Sequence, residues 1–492
     1  MMTREDIPDL LLAVLVLVVL AFASLRTAAD PDLWGHVRFG QDILAARSIP
    51  QHDPYSFTSD RPWVNHEWLA EVLMAGAYRI AGSVGLITLK LLLAICTFVV
   101  IWRALRHAGV FRPVAVGLLL VATLGVYHLL IAVRPQLFSL PLCTVSLSLL
   151  NGITRGRPRL FLWMPVLFAL WANLHGGWIV GVGVLLLWSA CAVLAGTIAW
   201  SWALGGAVLA LLGTLATPYG VELWQFIWET VGLGRSDIAD WQPLIRTPSL
   251  LIPWALTALL AGLAWRRRGV GSIPYLVPAL ALGVFALRVV RLEGFFALTT
   301  VMLLAPCFAA FGPPRLPLSR RPTRSDIVAV GAMCLVGLVA AGFAVTRNAE
   351  CVTLTNTDLT TPWAPEAEAI TFLQINRLEG RLLSYFDYGE MAIWHLAPKL
   401  RVSYDGRRET VYSKAVQDGH VRFYTNARDA SYARILKADY IWLPRRLPVN
   451  AALERDGWIA IYKGSRSVIY AGQPGTYTQP EPWTGPRCFP GP

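Results

Sequence analysis

Apolar residues run unbroken for long stretches over the first 345 positions of this chain and only in short stretches after that. Runs of roughly 17 to 22 residues, enough to cross a bilayer as helices, fall at 9–28, 84–102, 113–132, 135–151, 159–174, 178–196, 203–217, 249–265, 273–290, 294–311 and 326–345. The pattern predicts an α-helical polytopic membrane protein of about eleven spans. Polar residues collect in the connecting loops, and their signs alternate from one loop to the next.

With the N-terminus cytoplasmic, the inner loops hold Arg103, Arg106 and Arg112, then Arg155, Arg157 and Arg159, then Arg266, Arg267 and Arg268, then Arg315, Arg320, Arg321 and Arg324. That is the positive-inside arrangement. Outer loop 29–65 carries Asp30, Asp32, Asp42, Asp53 and Asp60, and outer loop 218–248 carries Glu222, Glu229, Asp237 and Asp240. An odd number of spans then sends the tail outside. The first run lacks a basic flank and a small-residue cleavage site, so it reads as a span and not as a cleaved signal.

From Thr346 the period changes. Arg381 to Tyr385, Leu400 to Tyr404, Tyr440 to Leu443 and Trp458 to Lys463 read as strands, alternating with helical stretches at 365–377, 387–396 and 410–436. The expected organisation is a membrane module at 1–345 that includes outer loop 29–65, a small extracytoplasmic α/β domain at 346–472, and a loose Pro- and Gly-rich end at 473–492.

Composition agrees with this class: 55% of the 492 residues are hydrophobic and 15% charged, far below the quarter of charged residues usual in soluble domains. A net charge of +12 raises nucleic acid as a partner, but the basic residues are scattered in short clusters between apolar runs and serve as topology signals. No nucleic-acid partner is expected. Cys96, Cys143, Cys191, Cys307 and Cys334 fall inside spans, where they behave as small apolar residues. Cys351 and Cys488 fall outside, where a bond between them would survive; the sequence leaves that pairing open.

Candidate chemistry gathers at the outer face. Asp30 and Asp32 follow the first span, where a carboxylate can take a proton or bind a divalent cation beside the headgroup of a lipid substrate; they could equally cap a helix starting near Leu33. In Asn65-His66-Glu67-Trp68, His66 and Glu67 can face the aspartates from the start of an amphipathic helix, or Glu67 can be an ordinary first-turn acid. Arg134, Asn173 and His175 lie at outer turns between spans, at the depth of lipid phosphates. Arg288 and Arg291 break the positive-inside tendency, and their guanidinium forks suit phosphate; pairing with Glu293 or snorkelling to headgroups is the alternative.

The segments Asp30-Pro-Asp-Leu-Trp-Gly-His36, Ile49-Pro-Gln-His-Asp-Pro-Tyr-Ser56, Trp63-Val-Asn-His-Glu-Trp68, Arg134-Pro-Gln136, Asn173-Leu-His-Gly-Gly177, Tyr388-Gly-Glu390 and Asp405-Gly-Arg407 resemble bacterial membrane proteins of the GT-C glycosyltransferase superfamily. The resemblance covers nearly the whole chain and extends, at greater distance, to protein O-mannosyltransferases and lipid A aminoarabinose transferases. It implies a GT-C-like helical fold, a polyprenyl-phosphate-linked sugar donor, an acceptor on the outer face of the bacterial cytoplasmic membrane, and an acidic catalytic motif in the first outer loop, matched here by Asp30 and Asp32. It departs at Pro31, which separates two acids that are adjacent in many members and leaves open which one is the base.

The chain shows no Gly-rich phosphate loop or dinucleotide fingerprint facing inward, so an outward site needs a lipid donor. The expected mechanism is a hexosyltransferase-like inverting displacement. Asp32 deprotonates the acceptor hydroxyl, which attacks the anomeric carbon as lipid phosphate leaves, and Arg288, Arg291 and Arg134 offset the charge on the phosphate. His36, His66, Glu67, Asn173 and His175 complete the substrate-binding set. A divalent metal is optional, with Asp30, Asp32 and Glu67 as its ligands. Asp405-Gly406-Arg407 is polar enough to meet carbohydrate but reads better as a turn. Two other classes fit eleven spans, a transporter or lipid flippase and a noncatalytic envelope-assembly scaffold. The carrier would place its polar groups near the bilayer midplane, whereas here they concentrate at one face; the scaffold would tolerate loss of both aspartates.

Overall fold

The computed structural model describes residues 27–231, 238–309, 351–354 and 363–491. They divide into two compact units. One gathers Ile87–Ile131 with the described part of Pro135–Glu350; the other gathers Ala28–Leu86, Ala132–Arg134 and the described part of Cys351–Pro492.

The first unit is helical. Four helical stretches of the chain are long and apolar enough to cross a membrane, Trp68–His107, Arg112–Leu130, Gln136–Thr154 and Pro248–Arg288, and three shorter apolar ones follow the same composition, Pro158–Leu174, Trp178–Leu194 and Trp200–Thr214. These are the helices of a multi-pass membrane protein. They do not establish a count of eleven. Within Pro248–Arg288 the chain forms two α-helices, Leu251–Arg268 and Ile273–Arg288, at the expected spans 249–265 and 273–290, and they are joined through Gly269, which takes a positive φ of 52°. The expected spans 9–28, apart from Thr27 and Ala28, and 326–345 lie outside the described residues. With no hydrophobic drive between helices in lipid, close packing has to come from small residues. A Cβ at Gly206 would run into the Phe161 ring, and one at Gly213 into the Pro165 carbonyl. The helix Glu293–Leu303 is buried along its whole length, so it forms the centre of this unit.

The second unit is built on a five-stranded sheet, β1 (Gly380–Ser384), β2 (Leu400–Val402), β3 (Tyr440–Pro444), β4 (Ile459–Lys463) and β5 (Ser467–Ala471), in the order β2-β1-β3-β5-β4. β1 pairs in parallel with β2 and β3, and the β3-β5-β4 side is antiparallel. The helix Gly389–Leu396 makes the crossover between β1 and β2, as a parallel pair requires. Four strands fall where the sequence pattern puts them. β5 has every residue buried, so it lacks the alternation that marks a half-exposed strand. The helical stretch expected at 410–436 is two helices, Lys414–Thr425 and Ser431–Ile435.

Outer loop 29–65, read with the membrane module from the sequence, clusters with this sheet unit. The cause is an open edge. β2 would expose unpaired backbone groups, and the loop covers them: Val402 N–H donates to the Tyr55 carbonyl at 3.1 Å and Phe57 N–H to the Val402 carbonyl at 3.1 Å. Arg401 adds a bond to the Ser56 carbonyl.

The end of the chain is anchored in the same unit. Cys351 and Cys488 form a disulfide with Cα atoms 5.3 Å apart, Trp34 Nε1 donates to the Pro490 carbonyl at 2.7 Å, and Phe489 is buried against Trp34, Tyr78 and Trp394. Residues 473–485 carry no helix or strand, but 487–491 are packed into the unit.

Candidate functional site

Helix Leu33–Ala46 begins directly after the two aspartates, and the structure gives them different work. Asp30 is buried and ion-paired with Arg134, brought there because Ala28 and Ala132 form a β-bridge. Asp32 stands at the N-cap position of the helix but makes no side-chain capping bond, so the capping reading does not account for it. It is half-buried, and its carboxylate faces Gly406 and Glu390.

Around Asp32 lies an acidic set. His36, one turn on, meets Glu71 Oε1 through Nδ1 at 3.3 Å, and Asn65 Nδ2 donates to Glu71 Oε2 at 2.6 Å. Burial lowers the His36 pKa, but the hydrogen bond to Glu71 and the charges of Glu67, Glu71 and Asp32 outweigh it, so the imidazole is raised above its ordinary value. His66 and Glu67 approach each other at 3.7 Å. Glu390 is buried, and its Oε2 accepts the Gly35 N–H at 3.1 Å.

Metal ligation by Asp30, Asp32 and Glu67 is not what this geometry prepares. Arg134 holds Asp30 and His66 holds Glu67, and among the described residues no group of three His, Cys, Asp or Glu side chains is arranged to hold an ion. No step is derived through a cation.

Beside the acidic set is a second charged network. Arg407 is buried and donates to both Asp405 oxygens and both Asp53 oxygens, with Nε to Asp405 Oδ1 at 2.9 Å, Nη2 to Asp405 Oδ2 at 2.7 Å, Nη1 to Asp53 Oδ1 at 2.6 Å and Nη2 to Asp53 Oδ2 at 3.0 Å. Tyr412 OH adds a bond to Asp405 at 2.6 Å, and the guanidinium lies over Phe39, Tyr55 and Trp63 at 5.1, 5.3 and 4.9 Å from the ring centroids. Burial raises the Asp405 pKa, yet Arg407 and Tyr412 prevail and hold it below the usual carboxylate range. Asp405-Gly406-Arg407 is thus more than an exposed turn: it fastens loop to sheet.

The helical unit holds the remaining candidates. Asn173 Nδ2 donates to the Ala169 and Ala216 carbonyls, both at 2.8 Å, which ties two helices and makes it a packing residue. His175 Nε2 faces Arg291 Nη2 at 2.8 Å, and its Nδ1 faces Ser139 Oγ at 2.7 Å. Trp171 Nε1 donates to the same hydroxyl at 2.8 Å. A guanidinium can only donate, so Nε2 is its acceptor. The Gly177 N–H donates to Nδ1 at 3.0 Å, and a side chain at 177 would collide with Ser139, which is why the turn needs glycine there. Arg288 is exposed at the end of its helix. Glu293 pairs with neither arginine, its carboxylate being buried against Gly125.

Sequence reasoning named Asp30, Asp32, His36 and Arg134, which lie in one unit, and His175 and Arg291, which meet in the other. It missed Glu71, although Glu67 and Glu71 stand four apart on one helix face, and it gave Glu390 and Ser139 no role. Ser139 carries no sequence signal; it is one hydroxyl within an apolar span.

No family model matches the chain, and no curated protein matches it. Several solved structures are similar, and two of them are informative. One is the crystal structure of ArnT from Cupriavidus metallidurans bound to undecaprenyl phosphate, with TM-score 0.54 and 13% identity over 94% of this chain and 98% of that one. The other is the arabinofuranosyltransferase AftD from Mycobacteria, with TM-score 0.50 and 16% identity over 96% of this chain and 42% of that one. At such identities the likeness speaks of the fold, and the fold of this chain is GT-C-like.

Proposed function

We propose that this protein is a membrane glycosyltransferase that moves a sugar from a polyprenyl-phosphate donor to an acceptor hydroxyl at the outer face of the cytoplasmic membrane. The observation that carries the reading is the place of Asp32: half-buried directly before its helix, it stands in an acidic set with Glu390 and beside His36, while Asp30 is ion-paired with Arg134. A carboxylate so placed suits a general base better than a structural acid. The fold narrows the reaction class without fixing it.

In this reaction Asp32 takes the acceptor's hydroxyl proton, the acceptor oxygen bonds to the anomeric carbon, and the bond from that carbon to the phosphate oxygen breaks. Polyprenyl phosphate leaves with the electron pair, and the single displacement inverts the anomeric centre. Within the helical unit taken by itself, Arg291 is the candidate to hold a lipid phosphate: a guanidinium held by an imidazole keeps donors for an anion. The Cys351–Cys488 disulfide supports an extracytoplasmic placement of the sheet unit, since such bonds persist in oxidising compartments.

The test is transfer of a radiolabelled sugar from polyprenyl phosphate in membranes, with expression matched by immunoblot. Asp32→Asn keeps the size of the side chain and removes the base, so transfer falls about 10²-fold or more. Near-normal transfer by the double variant Asp30→Asn, Asp32→Asn would remove the mechanism. Absence of any donor that supports transfer by the wild type would remove the enzyme reading itself.

A further inference from the structure

Glu390 is a buried acid in the neighbourhood of Asp32 that the proposed reaction does not use. It reaches Asp32 from the crossover helix of the sheet, Gly389–Leu396. A Cβ built on Gly406 would stand 2.7 Å from Glu390 Oε1 and in hard contact with Asp32 Oδ1, so the two carboxyl oxygens crowd one point above that glycine. The other oxygen, Oε2, is occupied by the Gly35 N–H. Gly35 and Gly406 are therefore both places where any side chain would displace the Glu390 carboxyl.

The charged groups facing Glu390 are Asp32, Asp405 and Glu71 on the acidic side and Arg407 on the basic side. Arg407 is already engaged by four hydrogen bonds to Asp405 and Asp53. Glu71 is engaged by His36 and Asn65. Two ionised carboxylates brought together beside Gly406 would repel each other at low dielectric, and a proton on one of them lets the repulsion give way to a hydrogen bond.

We propose that Glu390 is a positioning residue for Asp32: its neutral carboxyl, anchored through Oε2 by the Gly35 N–H, donates from Oε1 to Asp32 Oδ1 and fixes the direction in which that carboxylate meets the acceptor. The inference rests on the role assigned to Asp32. Burial first, and then the charges of Asp32 and Asp405, push the Glu390 carboxyl well above the usual carboxylate range against the opposing pull of Arg407. The proton consequently stays on Glu390, and the donated bond keeps Asp32 ionised and fixed in direction. Ionisation of Glu390 at high pH breaks the bond and turns it into repulsion, so transfer falls on the alkaline side.

Two measurements test this on the purified full-length protein. The first is infrared spectroscopy, in which a protonated carboxylic acid shows a carbonyl band distinct from carboxylate. The band at neutral pH in the wild type is larger than in Glu390→Gln by the intensity of one carboxylic acid, the remainder coming from other buried acids such as Glu293. An identical band in the two proteins overturns the proposal, and this readout stands whether or not a sugar donor is found. The second is the pH profile of transfer. Glu390→Ala loses about tenfold or more, Glu390→Gln recovers most of that loss because its amide N–H still faces Asp32, and the Gln variant lacks the alkaline fall. An equal loss in both variants, or an alkaline fall kept in Glu390→Gln, overturns it. Failure of every donor with the wild type strikes the transferase reading, while the infrared result still decides the protonation of Glu390.

Discussion

The two units each hold a shielded arginine, and they satisfy it in opposite ways. In the sheet unit, Arg407 meets two carboxylates and three aromatic faces, and every charge it brings is answered. In the helical unit, Arg291 is half-buried and its described partner is an imidazole, which offers a lone pair and no charge. A buried ion whose partners are complete is a fastening. A cation held in direction but not neutralised is prepared for something that arrives.

The sharpest way to break this comparison is to remove the fastening. Arg407→Ala strands Asp53 and Asp405, both with fully buried side chains, and loss of one partner from a buried pair costs about 3–5 kcal/mol. Arg407→Lys recovers little, because an ammonium cannot reproduce the forked contacts to two carboxylates. Thermal unfolding in detergent reads the loss, and limited proteolysis locates it in residues 53–63, which the arginine binds to the sheet. An unchanged melting temperature in Arg407→Ala would put Arg407 on the same footing as Arg291.

The converse holds for the helical unit, with a smaller effect. Arg291→Ala removes a charge-assisted donor and strands only a neutral histidine, so polyprenyl-phosphate affinity falls about tenfold while the melting temperature changes little. Arg288→Ala, at an exposed helix end, changes neither by more than about twofold. Equal losses for both arginines would restore the paired grip expected from sequence; no loss for Arg291→Ala would remove it from the phosphate.

How far the sequence foretold this contrast depends on the range of the interactions. Long apolar runs, Arg-rich loops and the four alternating strands are local signals, and all are legible. Residues 29–65 were counted with the membrane module because they follow a span in the chain; their attachment to the sheet depends on Asp53 meeting Arg407 and Tyr55 meeting Val402, pairs separated by about 350 positions, and no local pattern reports such pairs. The same distance hides Glu390 from Asp32 and Phe489 from Trp34. Asp30 and Asp32 look alike in sequence, and the β-bridge from Ala28 to Ala132 that brings Arg134 to Asp30 leaves no local pattern.

The smallest expected effect concerns a histidine, and it sharpens the comparison by sign. His175 keeps its Nε2 lone pair for a guanidinium, whereas His36 faces carboxylates. The folded-state pKa of His36 is raised: burial pulls it down, and Glu71, Glu67 and Asp32 together push it further up. A raised pKa means that the folded protein binds the proton more tightly than the unfolded chain. The stability from the His36–Glu71 pair is therefore fully present below the ordinary histidine pKa of about 6.5 and is lost as pH rises through the higher folded value. For a pair of this exposure the contribution is about 1 kcal/mol. Melting temperatures across that window should decline with pH in the wild type beyond the decline in His36→Gln, where the glutamine bonds Glu71 without titrating. A slope of the opposite sign would mean that burial outweighs the acids and that His36 is neutral like His175; parallel curves would mean that the pair contributes nothing to the fold, and the acidic set would then be left to Glu390 and Asp32.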